Sequence, residues 1–193
     1  MLPGDGALST PSLPTAFRWP MRSATDLLTD YEQGGEELND ANGDLSVQTW
    51  TLTYAAPDVI VTDAAGHATT LFSRDGITEL ALAFNQNMAP FVAFVQDGQA
   101  RFWWFDITAG ANVFTDLPLD ATHPRACLDD HRALETATSD IILAYQREGA
   151  LYYRQQRDRF ATEYLLTADA GGELVSVGMS TGLRLQFAIY PAS

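Results

Sequence analysis

Phe91-Val92-Ala93-Phe94-Val95-Gln96-Asp97-Gly98 and Ile142-Leu143-Ala144-Tyr145-Gln146-Arg147-Glu148-Gly149 lie 51 positions apart and read alike. Each is an apolar run closed by an acid-glycine pair, the residues that a tight reversal between antiparallel strands demands. Each is followed by an aromatic run, Phe102-Trp103-Trp104-Phe105 in one and Tyr152-Tyr153 in the other, and then by a third run at the same offset, Val113-Phe114 and Tyr164-Leu165. The same spacing lays Asp130–Glu135 over Glu79–Phe84. Leu174–Ile189 can be laid over Leu80–Val95 without a gap as a third copy. Repeats of roughly 40 to 50 residues built from antiparallel strands are the pattern of blade-like sheets.

Outward from this repeat, short runs of aromatic and branched residues continue at period two, each bounded by turn residues. Val47–Tyr54, Val59–Val61, Ala68–Phe72 and Leu80–Phe84 precede it, Ala100–Phe105 and Asn112–Leu117 lie inside it, and Asp140–Tyr145, Leu151–Arg154, Phe160–Leu166, Leu174–Val177 and Leu183–Tyr190 follow. A helix finds support only over Ser23–Leu28. The expectation is an all-β body of about a dozen strands, spaced roughly 8 to 12 residues apart, in repeated antiparallel blade-like sheets, propeller-like or sandwich. Residues 45–193 form that body, with repeats near 80–117, 126–166 and 174–190.

Residues 1–44 differ. They hold Pro3, Pro11, Pro14 and Pro20 and then an acidic run through Asp26, Asp30, Glu32, Glu36, Glu37, Asp40 and Asp44, with no lysine or arginine between Arg22 and Arg74. Such a stretch lacks the apolar area for a core of its own and reads as an extended N-terminal arm and acidic segment. Phe17, Trp19 and Tyr31 are large apolar groups that a purely solvated tail would rarely carry.

The 193 residues carry 11 basic and 25 acidic side chains, a net charge of −14, and every basic residue is arginine. Without lysine there is no P-loop lysine and no Schiff base. The acidity argues against nucleic acid as a partner, and no run approaches the roughly 18 apolar residues of a membrane span. Cys127 is the only cysteine, so no intrachain disulfide forms. Met1–Pro14 lacks the basic and apolar regions of a secretory signal, and the expectation is a soluble protein folding in a reducing cytoplasm.

Few constellations point to chemistry. His123, Cys127 and His131 are spaced by four, which on a helix would share a face and suit zinc, but Pro124 interrupts the spacing, and in a strand positions four apart are spread over about 13 Å. Asn39–Asp44 imitates a calcium loop, yet with Gly43 as its sixth position the first and twelfth are Leu38 and Thr49, which lack the needed carboxylates. No metal or other cofactor is expected. Asp106 follows an aromatic run in which Phe102 and Trp104 face one way and Trp103 and Phe105 the other, the pattern of a strand held between two layers. Exposed instead, Trp103, Trp104 and Asp106 could hold a sugar ring. Arg147, Arg154, Arg157 and Arg159 crowd 13 residues beside Tyr152 and Tyr153, a composition of binding hot spots. The candidate contact set is these four arginines, with Trp19 and Asp40 on the N-terminal side. Arg154, Arg157 or Arg159 is expected to pair with the Asp26–Asp44 region of the same or a neighbouring chain.

Phe17-Arg18-Trp19-Pro20, Leu71–Leu80, Phe91–Phe94, Phe102–Asp106, Ser139–Tyr145 and above all Tyr152-Tyr153-Arg154-Gln155-Gln156-Arg157-Asp158-Arg159 resemble a family of small tail proteins encoded among the structural genes of tailed bacteriophages and prophages. The likeness runs from Phe17 to about Phe187 and includes no catalytic motif. It implies a non-enzymatic virion component near the tail or baseplate, assembled in the host cytoplasm in several symmetric copies, with other virion proteins and copies of itself as partners. A module that binds or cleaves host-surface carbohydrate is the rival reading, and an enzyme built on Cys127 or on paired carboxylates is a second.

Overall fold

The computed structural model describes residues 31–39, 44–63, 65–85, 89–106, 108–128, 141–179 and 184–191, with side chains from Trp50 onward except Met179. It is all-β. Fourteen strands form four antiparallel sheets among the described residues, none of them closed on itself. The first sheet holds β1 (Tyr31–Asn39), β2 (Asp44–Ala55), β3 (Asp58–Thr62) and β4 (Ala68–Ser73). The second holds β5 (Ile77–Phe84), β6 (Pro90–Gln96), β7 (Gln99–Asp106) and β8 (Ala111–Asp116). The third holds β9 (Ala121–Leu128), β10 (Ile141–Arg147), β11 (Ala150–Gln155) and β12 (Tyr164–Thr167), and the fourth holds β13 (Gly172–Met179) and β14 (Leu185–Pro191). Within each sheet the strands follow chain order.

Successive sheets stack face to face, a sandwich-like arrangement. Leu52, Val59 and Phe72 meet Leu82, Phe94 and Trp103 between the first and second sheets. Phe91 and Phe102 meet Leu143, Tyr145 and Phe160 between the second and third. Ile142, Ala144 and Leu151 meet Leu174 and Val177 between the third and fourth. Middle sheets are therefore apolar on both faces. In β6, Phe91 and Ala93 face one core while Val92 and Phe94 face the other. The same division in β7 sends Phe102 and Trp104 toward the third sheet and Trp103 toward the first.

The two acid-glycine turns carry the repeat. Asp97 and Gly98 have φ of 51° and 78°, and Glu148 and Gly149 have 48° and 81°. Two consecutive left-handed residues make the reversal whose twist matches the flanking strands. The repeat is not uniform, however. β6 and β10 begin 51 residues apart (141 − 90), whereas β5 and β9 begin 44 apart (121 − 77). The first strand of the third sheet is thus Ala121–Leu128. The segment 130–135, aligned with β5 by the 51-residue spacing, lies outside the described residues. Pro124 hid this strand from a reading by pattern. It is tolerated because, among the described residues, β9 pairs only with β10 and the ladder is irregular there, between Ala144 and Gln146.

Two more strands differ from their sequence reading. Tyr31–Asn39, placed by composition in the acidic segment, runs antiparallel to β2 from Tyr31↔Leu52 to Asn39↔Asp44. Backbone pairing needs no apolar period, and charged residues suit an edge strand. The strand expected over Phe160–Leu166 begins only at Tyr164, because a 3-10 turn at Gln156–Asp158 is followed by two left-handed residues, Arg159 and Phe160. Ser23–Leu28 lies outside the described residues.

An added methyl at Gly149 meets no heavy atom within 4 Å, so its cost is purely conformational. Gly149→Ala is expected to lower unfolding stability by about 1–2 kcal/mol in urea titrations, because φ there is positive.

Candidate interaction site at the arginine cluster

Alternation along the third sheet sets the site. Register pairs Tyr145 with Tyr152 and Leu143 with Arg154, so these residues share the face turned to the second sheet, and Tyr152 is paired in turn with Leu165. Tyr145 is fully buried, and its hydroxyl donates to Glu163 and accepts 2.8 Å from Arg154 Nε. Arg154 also donates to the Phe160 carbonyl at 3.1 Å. Arg147 forks onto Asp120, its Nε 2.9 and 3.0 Å from the two carboxylate oxygens, and reaches Glu163 at 2.7 Å. Its guanidinium lies 5.4 Å from the Tyr152 ring centre.

The charges tune one another. Burial opposes ionisation of Glu163, but the Tyr145 hydroxyl and the guanidiniums of Arg147 and Arg154 outweigh it and hold the carboxyl below its ordinary range. Burial, and then the neighbouring Glu163, push the Tyr145 phenol up, so it stays a protonated donor. The arginines are fixed in position, and Tyr152 gives the cluster an aromatic base.

Arg159 brings two separate sequence candidates together. It donates to Asp106 Oδ2 at 2.5 Å and lies 5.3 Å from the Trp104 ring centre, joining the third sheet to the second. Asp106 is only 3% exposed, and its other oxygen accepts from the amides of Thr108 and Ala109 at 3.0 and 3.2 Å. The Arg159 hydrogen bond, foremost, keeps this carboxyl ionised. Beside it Phe160 is driven into the core against Phe91, Phe102 and Trp104.

Here Arg147, Arg154 and Arg159 meet the carboxylates of Asp120, Glu163 and Asp106; the side chains of the Asp26–Asp44 region named from the sequence lie outside the described residues. Arg157 is exposed on the 3-10 turn. Trp103 is buried, its indole donating to Asn112 at 3.2 Å, so no ligand can stack on it. Trp19 and Asp40 lie outside the described residues.

A second constellation was not legible because β9 was not. Arg125, 4% exposed, donates to Glu79 of β5 at 2.9 Å and to the Val175 carbonyl of β13 at 2.7 Å. His123 Nδ1 lies 3.3 Å from Glu79 and 3.4 Å from Glu173. Burial opposes the Glu79 charge, yet His123 and Arg125 prevail and bring its pKa down to about 2. Cys127 is buried against the fourth sheet, and His131 is outside the described residues. Among the described residues no three His, Cys, Asp or Glu side chains are grouped to hold a metal ion.

Comparison with protein-family models, with curated proteins and with solved structures gave no match in any of the three. The site is therefore read from its own chemistry.

Because the Glu79 pKa is lower folded (about 2) than its ordinary 4.5, the stability it contributes is complete above pH 4.5 and is lost as pH falls toward 2. The amount is about 3 kcal/mol. Glu79→Gln is expected to be less stable at pH 7 and to lose that much less between pH 5 and 2 in acid-denaturation curves; an unchanged slope contradicts the assignment.

Proposed function

We propose that this chain is a non-enzymatic structural component of a bacteriophage tail or baseplate, built in several copies with other virion proteins. The observation that carries this reading is a prearranged contact surface beside exposed leucines. Leu165, 58% exposed, is paired with the Tyr152 that underlies Arg147, and Leu119, 91% exposed, adjoins the Asp120 that Arg147 grips. Apolar side chains flanking an ordered arginine-tyrosine cluster are what a protein partner can bury at small entropic cost. The resemblance of the sequence to small phage tail proteins supports the same reading. The net charge of −14 disfavours nucleic acid as the partner.

We further read the sheets as propeller-like blades. The first strands of successive sheets lie against one another, β1 on β5, β5 on β9 and β9 on β13, as the inner strands of blades do around an axis. The rival reading, a host-glycan module, is left with Trp104 alone of its tryptophans, and Asp106 is already engaged by Arg159 and two backbone amides. That favours a contact protein over a sugar binder.

Leu165→Asp and Leu119→Asp alter exposed side chains and are expected to leave the melting temperature unchanged while weakening self-association or co-assembly with tail proteins about tenfold or more. Sedimentation and co-purification read this out. Full assembly by both variants, or a tryptophan fluorescence response to host-surface glycans, contradicts the proposal.

A further inference from the structure

Side chains of the third sheet hold β13, the strand of the fourth sheet that packs on β9. Arg125 donates to the Val175 carbonyl at 2.7 Å, and Gln146 bonds the Gly172 carbonyl at 2.6 Å and the Leu174 amide at 2.7 Å. His123 adds a further attachment, its Nδ1 3.4 Å from Glu173 Oε1. Arg125 and Gln146 keep one charge state at any mild pH, whereas an imidazole changes its own between about pH 5 and 8.

A break in strand pairing sets the place of His123. Between the pairs Thr122↔Gln146 and Arg125↔Ala144, β9 sets two residues, His123 and Pro124, against the single Tyr145, and His123 takes a left-handed φ of 51°. Such a bulge re-aims a side chain. Here it brings the ring between carboxylates of two other sheets: Nδ1, buried from solvent, is 3.3 Å from Glu79 Oε1 of the second sheet and 3.4 Å from Glu173 Oε1 of the fourth. Arg125 meets the other Glu79 oxygen, Oε2, at 2.9 Å. A neutral ring presents to both carboxylates either one uncharged N–H or a lone pair that repels them, while the imidazolium presents a proton and a positive charge. The His123 side chain is 25% exposed, so protons pass between it and solvent.

The other titratable groups of β9 and of the strands packed on it face elsewhere. Cys127 lies in the apolar cluster shared with the fourth sheet. Tyr145 and Arg147 of β10 meet Glu163, Arg101 and Asp106 of β7 meet Asp116 and Arg159, and β6 carries no ionisable residue. Glu79, with its pKa brought down to about 2, is ionised throughout the range in which an imidazole titrates.

We propose that His123 is a proton-dependent clamp on the fourth sheet: the protonated ring ties Glu79 to Glu173, and loss of its proton lets β13 and β14 part more often from the third sheet. The inference concerns how the body is held together and does not depend on the proposed role in a tail.

Cys127 reports the opening, because it is the only cysteine and is buried in the cluster with Leu174 and Val177. Its labelling by dithiodipyridine in the intact chain, each rate divided by that of the urea-unfolded chain at the same pH to remove the thiol's own ionisation, tests the clamp. The ratio is expected to rise about three- to tenfold from about pH 5 to about pH 8, the scale of a partly exposed ion pair. His123→Gln is expected to abolish the rise, and His67→Gln, which alters the exposed histidine beside Asp63, to retain it. Nitrogen NMR of the unaltered chain gives a check independent of any variant: the His123 ring must lose its proton over the interval in which labelling accelerates. A ratio that does not change with pH, a rise that survives in His123→Gln, or a His123 ring whose charge state is constant where labelling accelerates each overturns the proposal.

Discussion

The guanidinium of Arg125 is buried where three sheets meet, and the arrangement of the body depends on its partners being in place together. Its own strand, β9, belongs to the third sheet; Glu79 reaches it from the second and the Val175 carbonyl from the fourth. An arginine buried without such partners would cost several kcal/mol, so a packing that slides one sheet past another is penalised at this one point. Apolar faces alone do not impose that, since they tolerate displacement better than a hydrogen-bonded charge does. Gln146 acts in the same way one strand over, bonding both the Gly172 carbonyl and the Leu174 amide across the third and fourth sheets.

The arginine cluster extends the same logic toward the surface. Arg159, Asp106 and Trp104 join the second and third sheets on one side of Phe160, and Arg154 holds the Phe160 carbonyl on the other. Two successive left-handed residues are costly, and here the buried Phe160 ring and the ion pair hold them in place. Beyond this latch, Arg147 and Tyr152 form a surface whose side chains are already ordered. Burying it costs a partner little rotamer freedom on this side.

Most strands were legible because half-buried and doubly buried strands leave period-two and continuous apolar signatures, as β2, β6 and β10 do, and because Asp97-Gly98 and Glu148-Gly149 specify their turns. What escaped was set by tertiary context. β9 holds a proline and a buried arginine, both permissible only at a sheet edge with partners on two other sheets. Phe160 looks like a strand residue by composition, and only the left-handed turn before it sends it into the core. The arginine cluster was visible as composition, but its partners Asp106, Asp120 and Glu163 lie 53, 27 and 16 or 9 residues away, distances closed by the stacking of the second and third sheets for Asp106 and by strand pairing within the third sheet for Asp120 and Glu163.

The claim on which the functional account rests is that this chain is built into a tail in several copies. Counting its peptides by quantitative mass spectrometry in purified, salt-washed phage particles tests that directly. The account predicts a fixed stoichiometry of several copies per particle, unchanged by successive washes; a chain absent from the particles, or removed by the first wash, would contradict it.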